Sequence, residues 1–209
     1  MKPVLEPYVT RLEDGLWVQI RPLGPDDREA LKEGLTHVGN RSLYERFLSP
    51  NHKPTEKEIE YLTHPDQRDH LALALGTLDD PPIGIGVARC VREAPGSNIA
   101  EYAILIRDDF QGRGAGLLLL AHLAELALEN HIDHFRGIQL VENHRILKLT
   151  EKIADPAART LCEAGVLEML WKLDPDRVRL FLGERREPTS RWKAPLEWLA
   201  SKFGMNGKP

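Results

Sequence analysis

The sequence predicts an α+β fold in which a mainly antiparallel sheet packs against helices. Three strand-like runs, 70–75, 83–91 and 100–106, follow one another on short turns, which is typical of an antiparallel meander. The run 117–130 is a helix that is apolar nearly all round, so it needs a sheet to cover it. The 209 residues, 42% hydrophobic and 29% charged, suffice for one globular domain with an appendage.

Composition argues against several classes of protein. The formal net charge of -4 disfavours a nucleic-acid binder, and two cysteines exclude a disulfide scaffold or a multi-cysteine zinc module. We expect Cys90 and Cys162 to be inert core thiols. There is no apolar run of about 18 residues, and the charged first 15 residues do not form a secretory signal. We therefore expect a cytoplasmic protein that neither spans a membrane nor binds nucleic acid.

The amino-terminal part alternates between strand and helix signals. Residues 18–21 predict a half-buried strand, and 41–48 predict a short helix. Two capping boxes predict further helix starts, at Asp26 with Glu29 and at Thr55 with Glu58.

The carboxy-terminal part continues with a strand at 134–141 and a helix at 143–153. A closing hairpin is predicted to pair 159–162 with 166–173. Because the composition shifts after Asp174, we divide the chain into a domain at 16–173 and an extension at 174–209. Its large apolar side chains predict that the extension docks, either on its own domain or across a homodimer.

The loop Gln111-Gly112-Arg113-Gly114-Ala115-Gly116 joins the third meander strand to the apolar helix. Its glycines permit a positive φ and a close approach of the backbone to a ligand. Free N–H groups at a helix N-terminus suit a phosphate or pyrophosphate. The G-x-G-x-x-G spacing fails because position 117 is leucine, and no Gly-Lys-Ser/Thr follows, so NAD and nucleoside triphosphates are disfavoured. The alternative is a simple turn before a helix.

This loop resembles the Gln/Arg-x-x-Gly-x-Gly/Ala acyl-CoA loop of the GNAT acetyltransferase superfamily. The resemblance covers about residues 16–173 and is carried by further segments. Those similar to the branch of bacterial protein-lysine acetyltransferases are Ser42-Leu43-Tyr44-Glu45-Arg46-Phe47, Ala100-Glu101-Tyr102-Ala103 and Val141-Glu142-Asn143-His144-Arg145. The opening Ile20-Arg21-Pro22-Leu23 with Asp26-Asp27 is also similar to the superfamily.

The resemblance implies a mixed sheet of six or seven strands with helices on both faces and a splay between the strands that flank the loop and helix. It implies acetyl-CoA as co-substrate, with pantetheine in the splay, and no metal. The implied coenzyme contacts are the main chain of Ile104, Leu105 and Ile106, the N–H groups of Gln111, Gly112, Arg113, Gly114, Ala115 and Gly116, and Asn143.

Glu101 is the candidate general base. A lysine-type amine has a pKa of about 10.4, so a base must remove its proton before it attacks a thioester. Strand alternation groups Glu101 with Ala103 and Leu105, and an apolar setting would favour proton uptake by a carboxylate. The position also matches the glutamate base of the resembling branch. The alternative is a solvated strand residue.

Other positions are weaker candidates. Where many members of the superfamily have a tyrosine as general acid, this chain has Thr150, which cannot supply a phenol. Arg113, Arg145 and Lys148 are candidates for contact with the phosphates of CoA. The eight histidines show no metal-ligand spacing. The predicted function is acetyl transfer from acetyl-CoA to a protein lysine or a small amine, with a non-catalytic acyl-CoA sensor as the rival.

Overall fold

The computed structural model describes residues 7–49, 53–79, 81–162 and 165–185, and its centre is an eight-stranded sheet. The strands are β1 (Tyr8–Arg11), β2 (Trp17–Pro22), β3 (His70–Thr77), β4 (Gly84–Arg92), β5 (Ile99–Ile106), β6 (His134–Leu140), β7 (Ala154–Leu161) and β8 (Val166–Leu173). Their order is β1-β2-β3-β4-β5-β6-β8-β7. Only β5 and β6 are parallel, so the mixed, mainly antiparallel sheet is confirmed. The sheet has eight strands instead of six or seven, because β1 precedes the predicted domain start.

Helices cover both faces of the sheet, as predicted. They are α1 (Arg28–Thr36), α2 (Asn40–Phe47), α3 (Glu56–Thr63), α4 (Ala115–Glu129), α5 (His144–Thr150) and α6 (Pro175–Arg185). Helix α4 lies across β3, β4 and β5 on one face. On the other face α1 packs on β4, and α2 packs on β5 and β6.

The main core lies between α4 and the sheet. Helix α4 itself carries leucine and alanine side chains on nearly all sides, and nine of its residues are buried. Helix α6 packs against α4 and adds the buried Val178 and Leu182 to the same core. The first part of the predicted extension therefore docks on its own domain. Residues 186–209, which carry the tail's tryptophans, lie outside the described residues, so the dimer stays a prediction.

Two of the local predictions at helix starts had different outcomes. The Thr55–Glu58 capping box is confirmed, since the Glu58 N–H donates to Thr55 Oγ1 (3.2 Å) and the Thr55 N–H donates to Glu58 Oε2 (2.7 Å). The Asp26–Glu29 box is wrong. A 3-10 turn opens α1, and the carboxylate used there is that of Asp27, which accepts from the Gly24 N–H (2.8 Å).

The predictions for the thiols of Cys90 and Cys162 also had different outcomes. Cys90 is buried, and burial raises the pKa of its thiol to about 12, so it is an inert core thiol as expected. Cys162 is exposed, contrary to prediction. The reason is its place just beyond β7, which is the edge strand of the sheet.

The closing hairpin is longer than predicted. Strand β7 begins at Ala154, five residues before the predicted start, and pairs with β8 along its length. A register shift between Pro156 and Ala158 accommodates the proline, which an edge strand tolerates. Helix α5 therefore ends at Thr150, three residues earlier than predicted.

The parallel pair β5–β6 provides the splay. These strands pair only from Ile99–His134 to Glu101–Arg136, whereas β5 pairs with β4 along nearly its whole length. Beyond Glu101 the two strands separate, so one edge of β5 has no strand beside it. The predicted opening in the sheet is confirmed.

Candidate active site

A cleft of about 970 Å³ opens where β5 and β6 separate. Its walls are residues 101–106 of β5, the glycine loop, the carboxy-terminal part of β6, and side chains of α2 and α5. The open edge of β5 lies along this cleft, so unpaired main-chain N–H and C=O groups can reach a bound molecule.

Most of the predicted coenzyme residues line this cleft, namely Ile104, Leu105, Ile106, Gln111, Gly112, Gly114, Gly116 and Asn143. Arg113 and Ala115 do not line it. Ala115 is buried as the first residue of α4. Arg113 turns away to form an ion pair with Asp14, in the turn between β1 and β2, so its predicted contact with a phosphate is not supported.

The glycine loop needs its glycines for their backbone conformation. Gly112 (φ 73°) and Gly114 (φ 84°) adopt left-handed conformations, and Gly114 is the N-cap of α4. A Cβ on Gly114 would lie 2.8 Å from a carboxylate oxygen of Glu13. The first N–H groups of α4 have no acceptor within the helix, so this end of the cleft can bind an anion.

Gln111 joins the loop to its surroundings. Its side-chain amide donates to Ser42 Oγ (3.2 Å) and to Asp108 Oδ1 (2.9 Å), and its side-chain oxygen accepts from Arg145 Nη1 (2.8 Å). Its backbone N–H donates to the carbonyl of Asp108 (3.3 Å). The N–H group of Gln111 that was predicted to bind a pyrophosphate therefore already has an acceptor, and this residue positions the loop.

Helix α5 brings polar and cationic side chains to the cleft. Asn143 caps the helix, accepting from the Ile146 N–H (3.4 Å), and its amide donates to Glu45 Oε2 (3.4 Å). Arg145 and Lys148 line the cleft near the loop, as does Lys152, which sequence reasoning missed. These three cations outnumber the carboxylates of Glu13 and Asp108 at the loop end of the cleft, which suits phosphates.

Glu101 lies at the other end, where the splay begins. Its carboxylate is exposed and lines the cleft, while the next residue, Tyr102, is buried on the opposite face, so the predicted alternation is confirmed. The expected apolar setting is wrong, because the charge of Arg46 on α2 acts on Glu101. Alternation along one strand could not reveal a side chain that arrives from a helix.

Thr150 has a packing role. It is fully buried, and its hydroxyl donates to the carbonyl of Ile146 (2.9 Å) and accepts from the hydroxyl of Tyr102 (2.8 Å). Burial raises the pKa of Tyr102 to about 12, so its phenol keeps its proton. Thr150 does not line the cleft.

Two residues of the site were missed because their signals are not local. Ser42 of α2 bonds the loop through Gln111 and Asp108, a contact 66 or more residues away in the chain. Gly137 of β6 lines the cleft, and a Cβ there would lie 2.8 Å from the Tyr102 ring. The glycine in an otherwise bulky strand was the available signal.

The described residues lack two kinds of feature, a metal-binding cluster and a membrane-spanning helix. No cluster of three or more histidine, cysteine or carboxylate side chains there is arranged to hold a metal ion. In that same part of the chain, no helix combines the length and apolar character that crossing a bilayer requires.

Comparison with known proteins gave a consistent result. The family model described as "Acetyltransferase (GNAT) domain" matches residues 18–154. The chain is 32% identical over 149 residues to the acetyltransferase Pat of Mycolicibacterium smegmatis, covering 71% of this chain and 44% of that protein. It thus spans less than half the length of that relative.

Solved structures share the fold. The GNAT domain of S. lividans PAT superposes with a TM-score of 0.71 at 28% identity, covering 83% of this chain and 100% of that one. A spermidine N-acetyltransferase from Vibrio cholerae, in complex with CoA and spermine, gives a TM-score of 0.61 at 14% identity, covering 77% and 98%. The second likeness concerns the fold alone.

Proposed function

Because this chain belongs to the GNAT acetyltransferase family, we propose that it transfers the acetyl group of acetyl-CoA directly to an amine. The observation that carries the proposal is one continuous cleft with an anion-binding glycine loop at one end and the carboxylate of Glu101 at the other. The open edge of β5 connects the two ends.

The residues present fit coenzyme A. Gly112 and Gly114 line the cleft in left-handed conformations, which bring the backbone of the loop to a bound molecule, and the first N–H groups of α4 can donate to an anion there. Main-chain groups of Ile104 and Ile106 would bond the amides of pantetheine along the open strand edge, and Asn143 would contact the arm from α5. Those of Leu105 face β4, in the same alternation as Arg107, whose N–H donates to the carbonyl of Ile85 (2.9 Å). Arg145 and Lys148 would meet the phosphates.

The chemistry requires a proton acceptor and a route for the leaving group. Acetyl-CoA supplies an activated thioester. Glu101 takes a proton from the acceptor ammonium, the free amine attacks the carbonyl carbon, a C–N bond forms and the C–S bond breaks. The leaving thiolate of a thiol with a pKa of about 8.5 needs little assistance, so a dedicated general acid is not required. This agrees with the packing role of Thr150.

The acceptor is a protein lysine or a small amine in this proposal. The resemblance of segments 42–47, 100–103 and 141–145 to protein-lysine acetyltransferases supports the first, and a small amine is the alternative. The rival is an acyl-CoA sensor without activity. The exposed carboxylate of Glu101 in the cleft favours the enzyme, because a sensor has no need of a base there.

Two measurements test the proposal. Calorimetry should show binding of acetyl-CoA and none of NAD, and Gly114→Ala should weaken acetyl-CoA binding. Gly96→Ala is the matched control, because Gly96 also has a positive φ (78°) but has open space around it, away from the cleft. Mass spectrometry of a panel of amines and lysine peptides incubated with acetyl-CoA should then show acetylated products. NAD binding without CoA binding would overturn the proposal.

A further inference from the structure

Arg89 of β4 is a buried cation that lies behind the cleft wall, on the sheet face that carries Glu101. It pairs in register with Ala103, so it shares a sheet face with Glu101 two residues along β5. Its side chain is 5% exposed and donates to the carbonyl of Leu62 (3.1 Å) and to His70 Nε2 (3.2 Å). Burial, and then the charge of Arg46, lower its pKa to about 10, so it stays charged at neutral pH.

Both partners of Arg89 are neutral. Burial, with the charge of Arg89 as the second cause, lowers the pKa of His70 to about 4, so its imidazole is an uncharged acceptor at neutral pH. The ring stacks on Tyr61, with centroids 4.9 Å apart. The nearby carboxylate of Asp66 is occupied by three backbone N–H groups, those of residues 68–70. A buried cation held by neutral groups is costly unless an anion compensates it.

Arg46 of α2 adds a second cation. Its side chain lines the cleft, and its charge interacts with both Glu101 and Arg89. Within the described residues its guanidinium forms no hydrogen bond or ion pair, and its Cζ lies 5.0 Å from the Phe47 ring centroid. Its five N–H donors are therefore free to bind a ligand.

The three charges leave one positive charge in excess. Glu101 is the carboxylate whose charge acts on Arg46, and it loses its charge when it takes a proton from the acceptor. A monoanion would compensate the excess, and a carboxylate matches the planar fork of a guanidinium.

We propose that Arg46, with Arg89 behind it, forms a carboxylate subsite for the acceptor, so that the preferred acceptor carries a carboxylate near its amine. The proposal rests on the proposed function and narrows its substrate class. Arg46 binds the carboxylate, Arg89 strengthens the positive field, and the amine lies at Glu101. The carboxylate belongs either to a zwitterionic small molecule or to an acidic residue beside a lysine.

The first experiment compares acceptors in matched pairs. One pair is 4-aminobutyrate and butylamine, and the other is a lysine peptide with aspartate or asparagine beside the lysine. In one of the pairs the acidic member should have a kcat/KM about 10- to 100-fold higher, as expected for a charge-assisted hydrogen bond. Arg46→Gln should abolish this ratio. Arg41→Gln, on the same helix but exposed and paired with Glu45, should retain it.

The second experiment needs no turnover. Butyrate should bind to the CoA-loaded full-length protein by NMR titration, and Arg46→Gln should lose that binding. Arg89→Lys, which keeps the charge, should retain more of it than Arg89→Gln. If Arg89→Gln does not fold, Arg46→Gln decides alone.

The outcomes separate the two proposals. Equal kcat/KM values within both pairs, or no butyrate binding to the wild type, would overturn the carboxylate subsite and leave the acetyltransferase. Butyrate binding by a protein that acetylates no amine would keep the subsite and overturn the proposed function.

Discussion

The sheet face beneath α4 and the face beneath α1, α2 and α3 differ in what their buried side chains contact. Under α4, Tyr102 stacks on Phe135 with centroids 5.1 Å apart, and its hydroxyl bonds Thr150. On the opposite face, the neighbouring Glu101 is exposed to the cleft, and Arg89 is buried among neutral acceptors. Adjacent residues of one strand thus serve stability on one face and chemistry on the other.

Strand alternation places the two requirements of this domain, a stable core and a reactive cleft, on opposite faces of the sheet. A face packed closely with buried apolar and aromatic side chains is rigid and costly to change. A face with incompletely compensated charges is less stable but can bind and react. Substitutions on the two faces should therefore change different measured quantities.

The largest expected effect is on the reactive face. Glu101→Gln should lower kcat by about 10²–10⁴, because the base of the chemical step is lost, while the melting temperature and acetyl-CoA affinity stay close to wild type. Glu60→Gln, an exposed carboxylate of α3, is the control. Near-wild-type turnover would show that Glu101 is a solvated strand residue.

The second effect concerns the packed face. Phe135→Ala should lower the free energy of unfolding by about 3–5 kcal/mol, since Phe135 is fully buried against Tyr102. Urea unfolding measures this change, and kcat of the folded fraction should remain similar. Leu161→Ala is the control, because Leu161 is 70% exposed on the edge strand. An equal loss in the two variants would contradict the described core.

A smaller effect concerns the hydrogen-bonded hydroxyl groups of Tyr102 and Thr150, and it tests whether they serve packing or catalysis. Thr150→Val leaves the Tyr102 hydroxyl buried without its partner and should cost about 1–3 kcal/mol of unfolding free energy. Adding Tyr102→Phe should restore part of that loss, because neither hydroxyl then remains. Turnover should change little in both variants. A large loss of kcat with unchanged stability would instead assign Thr150 to proton transfer.

The smallest effect is a pH dependence from the reactive face. Because the pKa of His70 falls to about 4 in the folded protein from its ordinary value of about 6.5, the unfolded chain binds the proton first as pH falls. His70 therefore lowers stability on acidification, by at most about 1 kcal/mol between pH 6.5 and 5.5. His70→Asn should reduce this slope in urea unfolding at the two pH values. An unchanged slope would contradict a neutral buried imidazole.

The main strands and helices of the domain could be predicted from the sequence. The meander, the apolar helix and the glycine loop depend on local periodicity and glycine spacing, so their positions could be predicted. Strand β1 was missed because Tyr8–Arg11 is a short strand of four residues that, among the described strands, lies at the edge of the sheet beside β2. The capping carboxylate is Asp27 instead of Asp26 because Asp27 also pairs with Arg21 of β2 (2.8 Å).

The site was predictable only where one segment forms it. The loop and the open edge of β5 could be predicted, because one continuous segment, residues 99–116, forms both. The surroundings of Glu101 could not, because the charge of Arg46 that acts on it comes from α2. Arg113 was a candidate for phosphate contact, and its ion pair with Asp14 had no local signal because the two residues lie 99 positions apart in the sequence. Charges that meet through tertiary contacts have no local pattern.

The short pairing between β5 and β6 also gives this sheet an edge in its interior. Such an edge has main-chain donors and acceptors without strand partners, which is the feature through which sheets associate with foreign strands. An extended ligand with amide groups along its length would close that edge as a further strand does. The ligand-free protein is therefore expected to be the more prone to aggregation, with coenzyme protecting it by occupying the gap.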